Sequence, residues 1–166
     1  MVKTSAGLLL YRFGAGGSLE LLLVHPGGPY WEGKDDHAWS LPKGEYLPNE
    51  DAEHAAVREF TEELGSPPPI GPRVDLGELR QSSGKRVRAW ALHAQEFSPL
   101  GFVSNEFDME WPPHSGRTQL FPEVDRAEWM GVDLARERIV RGQAEFIDRL
   151  LGALASSREE PPPTLS

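Results

Sequence analysis

GEYLPNEDAEHAAVREFTEELG, running from Gly44 to Gly65, is the stretch from which the rest of the chain is read. Ala52, Ala56, Val57, Phe60 and Leu64 recur on one stripe at helical spacing, which predicts a helix over Asn49–Leu64. Asn49 reads as its N-cap, with Glu50, Asp51 and Glu53 in the first turn, where carboxylates suit the helix dipole. Gly65 stands where a helix-ending glycine belongs, and Pro67–Pro69 forbid continuation. Glu59, Glu62 and Glu63 then fall at i, i+3 and i+4, on one face. Like charges at that spacing repel by about a few tenths of a kcal/mol per pair. A hard divalent cation would relieve the repulsion, since Mg²⁺ or Mn²⁺ accepts such oxygens while keeping waters and binding phosphates. Arg58 is placed to hold the Glu62 carboxylate one turn later. The alternative is a solvated acidic face, the ordinary state of charge runs.

The residues in front sharpen the pattern. Trp39-Ser40-Leu41-Pro42-Lys43 lead into Gly44, and the spacing runs Gly44-x5-Glu50-x7-Arg58-Glu59-Phe60-x-Glu62-Glu63-x-Gly65. This resembles the Nudix box, G-x5-E-x7-R-E-U-x-E-E-x-G-U, where U is a bulky apolar residue. Every charged and glycine position is filled, and a chance match in a chain of this length is on the order of one in a million. The final U position holds Ser66, a packing position at the helix exit. The wording WSLPKG ahead of the box is similar to the dinucleoside polyphosphate and nucleoside triphosphate-cleaving branch of that family.

The resemblance implies a Nudix hydrolase domain over residues 1–154. Its fold would be an α/β/α sandwich around a mixed sheet, with the box as loop–helix–loop. The implied activity is Mg²⁺-dependent cleavage of a phosphoanhydride bond in a nucleoside diphosphate derivative, with Mn²⁺ able to replace Mg²⁺. Dinucleoside polyphosphates or nucleoside triphosphates are the expected substrates. In the family's terms Glu59, Glu62 and Glu63 bind the metal, and Glu59 is also credited with activating water. Arg58 orients a glutamate, Glu50 supports the loop–helix junction through Arg58 or through a more distant metal contact, and Gly44 and Gly65 serve backbone geometry, since glycine adopts positive φ freely. Two other readings remain: a Nudix-fold module that binds a nucleotide without cutting it, and a pyrophosphohydrolase of ADP-ribose or RNA 5′ ends. Leu79–Arg86 (LRQSSGKR) holds neither the Tyr frequent in diadenosine polyphosphate hydrolases nor the Pro of ADP-ribose hydrolases. Members of the family are often dimers, which leaves room for a homodimer.

Outside the box the chain reads as one layered domain, α/β or α+β. Ala6–Phe13 and Leu19–His25 are apolar runs joined by Gly14–Gly17, which predicts two paired, well-buried strands. Pro26–Ala38 reads as a loop. Val74–Leu79, Val87–Gln95, Phe107–Trp111 and Val124–Val132 read as strands, Asp133–Val140 and Gly142–Leu154 as helices, and residues 155–166 as a disordered tail.

Other residues enter as candidates. Lys43 is positioned to meet a substrate phosphate beside Gly44. Glu106, Asp108 and Glu110 alternate along one strand and share a face, and one of them, Glu110 first, completes the metal or base set. Tyr30, Trp31, Phe107 and Trp111 are available to stack on a nucleobase, although loop aromatics more often plug the packing. Trp39, Trp90 and Trp129 read as core. Arg80, Lys85, Arg86 and Arg88 form a local basic patch available to a polyphosphate tail, although solvated strand ends account for such a patch more often; the five histidines, which lack metal-ligand spacing, read as structural or exposed.

The 166 residues carry 17 Lys+Arg against 26 Asp+Glu, a formal charge of −9, and no cysteine. That excludes a disulfide framework and any thiolate-held metal. No apolar run reaches membrane-spanning length, and Lys3 with its short apolar sequel lacks a cleavage pattern, so the cytoplasm is the expected location, with no membrane partner. Bulk nucleic acid is disfavoured as a partner, because that binding relies on Lys and Arg at phosphates. A small nucleotide substrate held through metal is compatible with the excess acid.

Overall fold

A computed structural model describes residues 2–159. The Leu-rich runs form β1 (Thr4–Phe13) and β2 (Leu19–Pro26), paired antiparallel through Tyr11–Leu21 to Phe13–Leu19. With β3 (Lys43–Glu45), β4 (Arg73–Arg80), β5 (Arg86–His93) and β8 (Val124–Gly131) they make a mixed sheet in the order β4-β5-β1-β2-β8, with β3 on β1. β1 and β5 run parallel, and every other pair is antiparallel. A separate two-stranded ribbon joins β6 (Glu106–Glu110) to β7 (Thr118–Pro122).

Both sheet faces are covered, which is why the central strands read as unbroken apolar runs. Leu8, Leu10, Leu22, Val24, Trp90 and Leu92 point to one side, against Ala55, Ala56, Phe60 and Leu64 of α1 (Ala52–Leu64). Leu9, Leu21, Leu23, Ala89 and Ala91 point to the other. There they meet Ala135 of α2 (Val132–Arg138) and Phe146, Ile147 and Leu150 of α3 (Glu145–Glu159). The helix–sheet–helix sandwich is therefore present, and Trp39 and Trp90 are buried in it. Trp129 is half-buried, its indole N–H donating to the Phe97 carbonyl at 3.1 Å.

Boundaries differ from expectation for physical reasons. α1 begins at Ala52, because the Asp51 carboxylate, not Asn49, accepts the His54 N–H at 2.9 Å and caps the helix. α2 ends at Arg138, because the fully buried Ile139 is extended and bridges Trp39. A 3₁₀ turn, Arg141–Gln143, precedes α3, and α3 runs past Leu154. Residues 155–159 are thus helical rather than tail, and 160–166 lie outside the described residues. β3 and β7 fall where the sequence carries no alternating pattern. Lys43–Glu45 becomes a strand only because Ser5–Gly7 offers a free edge beside the shorter pairing of β2.

Gln143 is fully buried and clamps the segments that frame the site. Its carbonyl accepts the Leu41 N–H at 3.1 Å, and its amide donates to Ser40 Oγ at 3.0 Å. Gln143→Leu leaves the buried Leu41 N–H unpaired. Urea unfolding should show a loss of about 1–3 kcal/mol, and an unchanged midpoint would remove the clamp from the account.

Candidate active site

The box wraps from the sheet edge into α1. Lys43 and Gly44 pair with Gly7 and Ala6 of β1, and the first turn of α1 follows a short loop. Gly65 ends α1 in the left-handed region at φ 73°, as expected of a terminating glycine. Gly44 differs. It is not among the positive-φ glycines, and its role is space: a Cβ there would fall 1.9 Å from Glu59 Oε2. The Glu59 carboxylate therefore lies directly on the Gly44 backbone.

Arg58 gathers the acids of the box. Its Nε and Nη2 donate to Glu50 Oε1 at 3.0 and 2.8 Å, and its Nη1 donates to Glu59 Oε1 at 2.9 Å and Glu62 Oε1 at 3.3 Å. Burial, then the charge of Glu62, pushes the Glu59 carboxyl above the usual range, with Arg58 opposing. Burial drives Glu63 further, up to about 8, although Lys43 opposes it by charge and the Lys43 backbone N–H donates to Glu63 Oε2 at 3.3 Å. The Lys43 ammonium is itself lowered by burial, with Glu63 pulling the other way.

A fourth carboxylate joins this group, and it is Glu123 rather than Glu110. The Glu123 N–H donates to the Asn105 carbonyl at 2.8 Å, and the Asn105 N–H donates to the Glu62 carbonyl at 2.9 Å. That chain ties the β7–β8 junction to the last turn of α1. Burial and the charge of Glu62 raise the Glu123 carboxyl, and Glu123 in turn raises Glu59 and Glu63. β6 leads away from Asn105, so Glu110, paired with Thr118 at its far end, lies about 13 Å further along the ribbon. Glu106, Asp108 and Glu110 are all exposed there. In the sequence Glu123 lacks periodic neighbours. Its one signal is being the lone acid in the run Leu120–Val124 (LFPEV).

A cleft of about 570 Å³ opens beside the box, with Lys43, Glu63 and Glu123 among its walls. Trp31 lines it. Tyr30 does not; it packs edge-on against Trp111 at 5.4 Å. Gly44 acts through Glu59 rather than on the cleft. The sequence reading missed His37, Gln81–Ser83, Arg141 and Gln143, which complete the walls. His37 sits at φ 53°, a conformation uncommon for a non-glycine residue. Its Nδ1 is 3.0 Å from the Ile139 carbonyl, to which it donates.

Among the described residues no three His, Asp or Glu side chains close on one point, because Arg58 stands among the box acids as their counter-ion. The donors are nonetheless all hard carboxylate oxygens, and three of the acids, Glu59, Glu63 and Glu123, are held above their ordinary range by burial and mutual repulsion. Such under-compensated charge fits a hard divalent ion.

The raised Glu63 also fixes a sign. From pH 4.5 to about 8 the unfolded chain has released this proton and the folded chain has not, so stability falls as pH rises through that window. Thermal melts of Glu63→Gln without added divalent ion should show a flatter decline across the window than the parent protein. Parallel declines would contradict the assignment.

The NUDIX domain family model matches residues 1–150 of this chain. A curated relative, the Caenorhabditis elegans bis(5′-nucleosyl)-tetraphosphatase [asymmetrical], is 43% identical over 63 residues. That match covers 38% of this chain and 41% of the relative, less than half its length. Among solved structures, a C. elegans Ap4A hydrolase binary complex superposes with a TM-score of 0.63 at 22% identity, over 92% of this chain and 98% of that one. The NUDIX domain of Shewanella oneidensis NrtR, complexed with ADP ribose, gives 0.60 at 15% identity, over 93% and 89%. A Nudix hydrolase from M. smegmatis, RenU, gives 0.57 at 26% identity, over 98% and 89%. The first two likenesses concern the fold. With the family model spanning most of its length, and a box whose acids the fold assembles around Arg58, this chain belongs to the NUDIX domain family.

Proposed function

We propose that the protein is a pyrophosphohydrolase that cleaves a phosphoanhydride bond in a nucleoside diphosphate derivative, with a dinucleoside polyphosphate or nucleoside triphosphate as substrate and Mg²⁺, replaceable by Mn²⁺, as cofactor. One observation carries the reading: Arg58 gathers Glu50, Glu59 and Glu62 beside a cleft lined by two further acids, Glu63 and Glu123, a cation, Lys43, and an aromatic, Trp31. Every box carboxylate is retained, which favours a hydrolase over a binding module.

Glu59, Glu62 and Glu63 would hold the metal, with Glu123 adjoining. When bound, a divalent ion supplies neutralisation of the phosphate oxygens and a more acidic water. The chain's own groups do the rest. Arg58 keeps Glu50, Glu59 and Glu62 on one guanidinium, so the carboxylates are oriented before substrate arrives. Lys43 meets a phosphate oxygen, and Trp31 offers a face to a base. Water attacks phosphorus as the bridging P–O bond breaks, and the proton released passes to Glu59, whose carboxyl is held above its ordinary range by burial.

The test is a Mg²⁺-containing panel of nucleoside triphosphates, diadenosine polyphosphates, ADP-ribose and triphosphate or capped RNA, read by product masses. Turnover of a polyphosphate nucleotide is expected. No turnover of any member would overturn the proposal.

A further inference from the structure

In this acidic chain most basic side chains on the sheet rim are already neutralised. Arg86 faces Glu78 at 3.6 Å, Arg88 faces Asp75 at 2.8 Å, Arg73 faces Glu53 at 2.7 Å, and Arg138 faces Asp36 at 3.0 Å. Arg141 lines the cleft and has no carboxylate partner among the described residues. Its position is rigid: Val140 N–H donates to the Trp39 carbonyl at 2.8 Å, and the neighbouring Gln143 is clamped on Ser40 and Leu41. The same turn abuts the β4–β5 hairpin, since Gly142 leaves so little room that a Cβ would fall 2.7 Å from Gln81 Cγ. That hairpin is closed by the Gln81 N–H donating to the Lys85 carbonyl at 2.7 Å, and its Gln81, Ser82 and Ser83 line the same cleft. Two cations, Lys43 and Arg141, thus line one cleft of a protein with a charge of −9, and Arg141 is unneutralised among the described residues.

We propose that Arg141 continues from Lys43 as a rail for the polyphosphate chain of the nucleotide, holding phosphates beyond the bond that is cut. The inference rests on the proposed nucleotide site and adds a selection by phosphate number: chains of three or more phosphates reach the rail, and a diphosphate linkage ends before it. Arginine suits the outer position, because its planar fork meets two phosphate oxygens at once.

Binding of a methylene-bridged, non-hydrolysable nucleoside triphosphate in Mg²⁺ reads the rail without turnover. Arg141→Gln should weaken it roughly ten-fold, as expected for one charge-assisted contact. The matching methylene-bridged diphosphate should change less than about three-fold. Arg141→Lys should recover part of the loss. Arg117→Gln, in the exposed β6–β7 turn, removes the same charge and should change nothing. Equal weakening by Arg117→Gln, equal weakening of both analogues, or no binding by the parent protein would overturn the rail. Failure of the hydrolase reading shows separately, as absence of products from the parent protein while the triphosphate analogue still binds in an Arg141-dependent way.

Discussion

Glu62→Gln is expected to lower turnover at least about a hundred-fold while leaving the melting temperature unchanged or slightly raised. The amide keeps the shape of the side chain and an oxygen for Arg58 Nη1, 3.3 Å away, so the local fold has no reason to change. It removes one unit of charge from the group that raises both Glu59 and Glu123. Stability gains from that relief, whereas catalysis loses a preorganised anionic group, a loss on the scale of removing one electrostatic stabiliser from an active site. Opposite responses of stability and rate are the mark of acids kept together for function. Steady-state kinetics with Mg²⁺ beside thermal melts decide it. A variant within about three-fold of the parent would remove Glu62 from the machinery.

Gly44→Ala is expected to match that loss of activity by a different route. The new methyl carbon would stand 1.9 Å from Glu59 Oε2 and 2.0 Å from its Cδ, too close for both to stay. The Gly44 backbone is paired with Ala6 in the sheet and holds its place, so the Glu59 carboxylate, at the end of a flexible chain, is what moves. Its bond to Arg58 at 2.9 Å is lost, along with its position beside Glu62. The damage therefore falls on the site more than on the fold: at least about a hundred-fold in turnover, against about 1–3 kcal/mol in unfolding free energy for a crowded contact. Kinetics and urea unfolding of one preparation test both halves. Full activity in the alanine variant would mean that Glu59 works from another position.

Much of this arrangement was legible in the sequence, because the box is local. Arg58, Glu59, Glu62 and Glu63 lie within six consecutive residues, and helix geometry alone puts three of them on a face. The Leu-rich runs announced buried strands because both faces of β1 and β2 are covered. What was misread depended on partners far along the chain. Lys43–Glu45 has no strand pattern and is a strand only through β1. Ile139 ends α2 early because Trp39 draws it into the core. Glu110 looked promising for its alternation with Asp108 and Glu106, but alternation reports a shared face and not which neighbour that face meets. His37 and Arg141 show no pattern at all.

The sequence by itself determined the family, the helix that carries the acids, the arginine that binds them and the double-sided burial of the sheet, since all of these follow from spacing over a few turns or strands. Only the tertiary structure decided that Glu123 is the fourth acid, that Gly44 is needed for room rather than for its backbone angle, and that Arg141 and the β4–β5 hairpin share a cleft with Lys43. Those facts depend on Asn105 bridging α1 to the β7–β8 junction and on Gln143 clamping Ser40 and Leu41. These are hydrogen bonds between segments that meet only once the sheet has set their register.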